Sequence, residues 1–427
     1  QGATNNTFEG IEIKLGKDID LNPGWKVSDG VAPNVWTSIG RSTANANIIP
    51  FKGTFNGQGH TIKGVYVSSS SDRIGLFAAT AQTSVVKDLK LTNSYFKSTE
   101  ADLGSIAGLG RGRFERVYTN ATVVAANGRS GGMLGQANGS NVILRDCWFD
   151  GSITNTTNHK DLRGTGGLVG IAYAGKLAVD NCLNTGVVDV SVYNTAFPVG
   201  NVLPVAGGII GRIAPDMTVK MEGTFNKGQI KTNTKATGAY GAILGYSDKE
   251  NALSVTDTYV LDGSCATAAG STIKGRTFTV TEESIKGFKG YQWTLLDFEN
   301  HWAVVTDASP ILKVFAQNIP SLENLEKMID FSWYDEKKDT YELADKADLY
   351  GFAMLSSETD YKGKTIKLTK DIVVNTGDAS KWATKAPEYA WTAVGTRTLP
   401  FAGTFDGNMH RIEGIYVNTN EKYSGLF

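Results

Sequence analysis

The sequence predicts an all-β fold, a parallel β-helix (solenoid) with irregular loops, and three observations carry that prediction. A 27-residue stretch, Phe51–Phe77 (FKGTFNGQGHTIKGVYVSSSSDRIGLF), returns without a gap as Phe401–Phe427 (FAGTFDGNMHRIEGIYVNTNEKYSGLF), with 13 positions identical. Between the copies a short glycine-bounded motif appears five times: Gly104–Gly108 (GSIAG), Gly131–Gly135 (GGMLG), Gly166–Gly170 (GGLVG), Gly207–Gly211 (GGIIG) and Gly241–Gly245 (GAILG). Their spacings of 27, 35, 41 and 34 residues alternate a constant core with loops of varying length. Units this small cannot bury an apolar face alone and become stable by stacking on one another.

Composition supports a large folded core. Of the 427 residues 41% are hydrophobic and 49 are Gly, and the apolar residues recur at regular intervals, unlike those of a disordered chain. A net charge of −1 leaves no footprint for nucleic acid or an acidic membrane surface. No apolar run approaches the roughly 20 residues that span a bilayer. Gln1–Asn22 is polar and strand-like rather than a signal peptide, so a signal for export would have been removed or would lie outside this chain. Three cysteines, Cys147, Cys182 and Cys265, are too few and too scattered for a disulfide framework.

Taken in order, Thr7–Asn22 (TFEGIEIKLGKDIDLN) opens the first module and Asp360–Asn375 (DYKGKTIKLTKDIVVN) matches it in the second. Trp36–Gly40 (WTSIG) then pairs with Trp391–Gly395 (WTAVG), and the changing offset places loops at 23–35 and 41–50. Asn56-Gly57 and Asp406-Gly407 mark tight turns between strands rich in Thr, Phe, Ile, Val and Tyr. In the second module Tyr341–Ser357 precedes the first strand. Asp345 or Asp348 can cap it, and Leu349, Phe352 and Ala353 share a helical face, so a short capping helix is expected there. Leu253–Leu261 reads as the last rung of the first module and Glu282–Phe315 as its closing cap. The expected organisation is residues 1–316 as a module lacking its N-terminal cap, 317–339 as a linker, and 340–427 as the truncated start of a second module. The chain is therefore expected to be part of a longer one.

Each glycine motif is followed by a β-branched strand and a small turn. The glycines let the chain turn a corner, and the apolar residues between them point inward. Aligned on these turns, Leu89, Val117, Cys147, Cys182, Thr224 and Tyr259 share one inward column, preceded by Asp88, Arg116, Asp146 and Asn181. Strands about 4.8 Å apart would make that second column an alternation of acid, base, acid and amide.

These motifs resemble the GLUG-motif family. Gly166–Val188 (GGLVGIAYAGKLAVDNCLNTGVV) is a close match, Gly131–Ile153 a good one, and Gly53–Phe77 and Gly403–Phe427 look like the segment that commonly precedes such repeats. The resemblance covers residues 7–315 and 340–427. It implies a right-handed helix and an extracellular setting, since members are mostly large secreted or cell-surface proteins, many from gut bacteria of the Bacteroidetes type. Some are adhesin-like; others are immunoglobulin-A-cleaving metallopeptidases that carry the repeats beside a separate catalytic domain.

No H-E-x-x-H is present and the four histidines (His60, His159, His301, His410) are scattered, so that peptidase activity does not carry over. His60 and His410 occupy equivalent positions in the two copies, which suits a structural hydrogen bond. Cys147 and Cys182 stand in register on adjacent rungs, as buried thiols or as a disulfide. Asp88, Arg116 and Asp146 form either an inter-rung salt bridge or the charged set of a carbohydrate-active β-helix enzyme. Arg111, Arg113 and Arg129 lie near turns, where they either bind an anionic glycan or are simply solvated.

Aromatics on loops are the binding candidates: Tyr193 and Phe197 on the longest insertion, Val187–Leu203, Trp25 in the first head, and Trp382 and Tyr389 in the second. They suit stacking on sugar or anchoring in a protein partner, and equally packing against the scaffold. No cofactor motif is present, because the Gly-x-Gly fragments lack a strand–helix context. The expected function is a non-catalytic, adhesin-like module, secreted or on a bacterial surface, that binds host or matrix glycan or protein. A carbohydrate-active enzyme and a passive stalk are the alternatives.

Overall fold

The structure, a computed structural model, describes residues 7–40, 48–99, 102–126, 129–156, 163–191, 204–232, 239–267, 269–280, 301–305, 308–318, 333–335, 337–356, 359–384, 387, 391, 393–395, 399–417 and 424–427. The all-β class and the parallel pairing are present. Among the described residues one α-helix, Lys346–Leu355, stands against a chain built otherwise of strands and short 3-10 turns. The chain divides into two compact units, Gln1–Thr279 and Val280–Phe427.

In the first unit the chain visits three parallel ladders in turn. One holds Tyr66–Ser69, Tyr95–Ser98, Thr122–Ala125, Ser152–Asn155, Val187–Asp189 and Ile230–Lys231. The next holds Arg73–Ile74, Asp102–Gly104, Ser130–Gly131, Gly164–Gly166, Val205–Gly207 and Ala239–Gly241. The largest sheet receives the long strands Leu134–Arg145, Val169–Asp180 and Ile210–Glu222, each paired in parallel with its counterpart one pass later. Valine, isoleucine and phenylalanine alternate with polar residues along these strands, so one row faces the core. Val86, Leu89, Leu91, Phe96, Phe114, Val117, Phe149 and Val179 all sit in one buried cluster.

The glycine motifs are the corners between the second ladder and the large sheet. Gly131 ends one strand, Gly132-Met133 bends, and Leu134 begins the next. A Cβ on Gly131 would overlap the carbonyl oxygen of Leu134, and one on Gly207 that of Ile210, so only glycine fits. Ile106, Met133, Leu168, Ile209 and Ile243, at the bends, are fully buried.

The column Asp88, Arg116, Asp146, Asn181 has a backbone cause. All four residues adopt left-handed φ, at 54°, 53°, 53° and 48°, and the column continues through Gly223 (56°) and Asp257 (46°). Asp, Asn and Gly tolerate this region and Arg does not, so Arg116 is the strained member. Because Asp257 holds the left-handed position, the inward column ends at Thr258 rather than at Tyr259. Tyr259 instead pairs with Phe225, and its amide donates to the Thr224 carbonyl. Leu253–Leu261 is also not the final strand, since Lys274–Val280 joins the same sheet.

A buried amide pair reinforces the last passes. Asn184 Nδ2 donates to Asn226 Oδ1 (2.7 Å) and to the Gly208 carbonyl (2.9 Å), and Asn226 Nδ2 donates to Gly228 (3.1 Å). Both asparagines are fully buried.

The second unit repeats the head of the first. Ile13 pairs with Phe55 and Ile366 with Phe405; Ile19 pairs with Ile62 and Ile372 with Ile412. The Trp36 amide donates to Tyr66 (2.8 Å) and the Trp391 amide to Tyr416 (2.7 Å). The helix Lys346–Leu355 lies where the sequence places it. Asp345 Oδ1 accepts from the amides of Ala347 and Asp348, Asp348 reaches back to the Ala344 amide, and Leu349, Phe352 and Ala353 enter the core. Trp302–Val305 and Ala308–Leu312 form an antiparallel hairpin within this unit. Residues 281–300 and 319–332, which include most of the expected cap and linker, lie outside the described residues.

Candidate functional site

The loop aromatics that are described pack on their own heads. Trp25 is 7% exposed, meets Tyr66 edge-on at 5.8 Å and donates Nε1–H to the Gly30 carbonyl. Trp382, half-buried, meets Tyr416 edge-on at 5.9 Å, the equivalent tyrosine of the second head. Trp25 is therefore a packing residue rather than a displayed one. Tyr193, Phe197 and Tyr389 lie outside the described residues.

The histidines do the same structural work in both heads. His60 Nδ1 lies 3.2 Å from Asp18 Oδ1, which also accepts from the Thr61 amide; His410 Nδ1 lies 3.1 Å from Asp371 Oδ1, which accepts from the Arg411 amide. The backbone amide first and the histidine second hold each carboxylate below its usual range. Cys147 and Cys182 are free, buried thiols, and burial pushes the Cys182 thiol up, while Cys265 is free and half-buried. Arg116 grips Asp88 with two bonds, Nε–Oδ1 at 2.5 Å and Nη2–Oδ2 at 3.0 Å, an inter-rung salt bridge. Arg113 pairs with Glu115 at 2.6 Å. No group of His, Cys, Asp and Glu among the described residues could hold a metal ion.

A different set converges beside the glycine corners. Asp102, 2% exposed, is flanked along its ladder by Arg73 on one side and Arg129 on the other, because Asp102 pairs with Arg73 and Leu103 pairs with Ser130. Arg129 Nη1 reaches Asp102 Oδ1 at 3.0 Å, and Arg73 Nε lies 3.6 Å from Oδ2. Burial outweighs the guanidinium groups of Arg129, Arg73 and Arg163 and pushes the Asp102 carboxyl up to about 6. Arg129 Nη1 also donates to Gln136 Oε1 at 2.6 Å.

The Arg129 guanidinium carbon sits 5.5 Å from the Tyr173 ring centroid, a cation–π contact. Tyr173 owes its position to a bulge: Ala172 pairs with Ala137 and Ala174 with Asn138, so Tyr173 is the extra residue, pushed outward and 45% exposed. Arg111 completes the set, with Nε donating to the Asn138 carbonyl at 2.9 Å. Burial and then the neighbouring Arg73 charge lower its pKa. Of the three arginines the sequence singles out, Arg111 and Arg129 line this face, whereas Arg113 is committed to Glu115 elsewhere. Sequence reading missed Arg73, Asp102, Gln136 and Tyr173; the only sequence signal for any of them is the Gly-corner register.

No protein-family model matches the chain. A 143-residue stretch is 29% identical to halomucin of Haloquadratum walsbyi; it covers 33% of this chain and 1% of halomucin, so the chain spans a small fraction of that relative's length. A crystal structure of a candidate immunoglobulin A1 protease from Bacteroides ovatus is similar at a TM-score of 0.48 with 20% identity, over 71% of this chain and 86% of that one.

Proposed function

We propose that this chain is a right-handed parallel β-helix of the GLUG-motif type, part of a bacterial secreted or cell-surface protein. Its role is non-catalytic and adhesin-like, holding a host or matrix glycan or protein on a rigid scaffold. The observation that carries the reading is the use made of the charged columns. Asp88 and Arg116 are spent on each other between rungs, and a set with uncommitted donors, around Arg111 and Arg129, sits beside an exposed tyrosine. Guanidinium, amide and aromatic groups of this kind suit binding rather than general acid–base chemistry. A surface role also accords with the stretch similar to halomucin.

The test is a screen of the protein against immobilised glycans and extracellular-matrix proteins. Specific, saturable binding supports the reading. Binding to nothing favours a passive stalk, and release of reducing or unsaturated sugar ends favours a carbohydrate-active enzyme.

A further inference from the structure

We propose that the face formed by Arg111, Arg129, Gln136 and Tyr173 binds the acidic groups of a carboxylated or sulfated polysaccharide. This deepens the glycan-binding reading above and rests on it. Five N–H-bearing groups there make no bond among the described residues: Arg111 Nη1 and Nη2, Arg129 Nε and Nη2, and Gln136 Nε2. Gln136 is 4% exposed and its oxygen is taken by Arg129, which fixes the amide with its nitrogen as the remaining donor. Arg129 is itself fixed by Asp102, which is buried and shared with Arg73. Preorganised guanidinium groups of this kind match the planar two-oxygen edge of a carboxylate or sulfate. Ser130 pairs with Thr165, which sets Gly164 beside Arg129, and Arg163 just before it adds a further positive charge acting on Asp102.

The ligand class follows from the surroundings. Tyr173, lifted out by the bulge, offers a flat ring on which the C–H face of a sugar can lie. An acidic peptide would be expected to add to a strand edge, but Leu134–Arg145 and Val169–Asp180 are each paired on both sides. The chain as a whole carries a net charge of −1, so attraction of a polyanion must be local to such a face.

The experiment is equilibrium binding of the whole chain to polygalacturonate, chondroitin sulfate and neutral dextran, at low and high salt. Arg111→Gln, Tyr173→Ala and, as a control, Arg113→Gln are compared with wild type, each checked for an unchanged melting temperature. Arg111 makes no ion pair among the described residues and gives up one bond, to the Asn138 carbonyl, so an unchanged melting temperature is the condition for reading its binding result. The expected result is binding to one or both acidic polymers and not to dextran, weakened about tenfold, which is about 1.4 kcal/mol, by Arg111→Gln and by Tyr173→Ala, and unaltered by Arg113→Gln. Preference between the two polymers separates carboxylate from sulfate recognition. Equal affinity in all variants, or binding only to neutral glycan or to a matrix protein, overturns this site while leaving the adhesin reading in place. Binding to nothing, on these polymers and in the wider screen, overturns both.

Discussion

Replacing Arg116 separates the two forces that act on its column. Arg116 is held in the left-handed region at φ 53°, which costs an ordinary L-residue roughly 1–2 kcal/mol, and in return bonds Asp88 through both guanidinium edges. That ion pair is partly exposed and contributes about 1 kcal/mol. Arg116→Gly removes the pair and the strain together and adds about 0.5–1 kcal/mol of unfolded-chain entropy, so the variant should lie within about 1 kcal/mol of wild type. Arg116→Asp keeps a residue that tolerates the conformation but stacks three carboxylates at rungs about 4.8 Å apart. Each new repulsion is about 1 kcal/mol in a water-like dielectric and about 3 kcal/mol at an effective value of 20. Asp146 is only 6% exposed, which favours the larger figure on its side.

The sum predicts a loss of about 3 kcal/mol for Arg116→Asp, or roughly 10 °C in melting temperature for a unit of this size. Thermal unfolding followed by circular dichroism would read it. In 1 M salt, where the screening length is about 3 Å, the Asp deficit should shrink and the Gly variant should stay put. Equal melting temperatures for Gly and Asp variants, or a salt-independent deficit, would refute the column.

Four further outcomes follow from the same geometry. Asn184→Ala leaves Asn226 Oδ1 and the Gly208 carbonyl without their donor inside the core, and should cost about 1–3 kcal/mol in denaturant unfolding. Gly207→Ala drives a methyl into the Ile210 carbonyl and should lower stability by at least about 1–3 kcal/mol, whereas Gly59→Ala, at an open turn, should lose only the cost of its positive φ. A thiol reagent should titrate Cys265 in the folded protein and reach Cys147 and Cys182 only after denaturation; three fast-reacting thiols would contradict their burial. Asp102 has a folded pKa raised to about 6 from 3.8, so its contribution is full below pH 3.8 and is lost as pH rises through 6. The stability of wild type relative to Asp102→Asn should therefore fall between about pH 4 and pH 6, by up to about 3 kcal/mol; a difference that grows with pH would be the wrong sign.

Much of this architecture is legible in sequence because a parallel rung imposes the same chemistry at the same place. The corner glycines must be glycine for want of space, and the left-handed column selects Asp, Asn and Gly, so both repeat visibly. Extending that column beyond Asn181 would have corrected the last rung, since Gly223 and Asp257 carry the left-handed turn and put Thr258 in line. The two heads are recognisable because His60 with Asp18 and His410 with Asp371 close the same turn. The arginine face leaves no such trace. Arg73, Asp102 and Arg129 meet through the register of short ladder strands whose spacing in the sequence varies, and Tyr173 is exposed by a bulge that no turn residue announces. Trp25 shows the converse: a loop aromatic looks displayed in sequence, yet its ring finds Tyr66 and its indole N–H finds a carbonyl.

The central claim, a scaffold that binds a glycan without altering it, meets its most direct test in a glycan array read twice, for bound protein and by mass spectrometry of each spot. The account predicts saturable binding on acidic glycans recovered at unchanged mass. Shortened or unsaturated products, or an array without any binding, would contradict it.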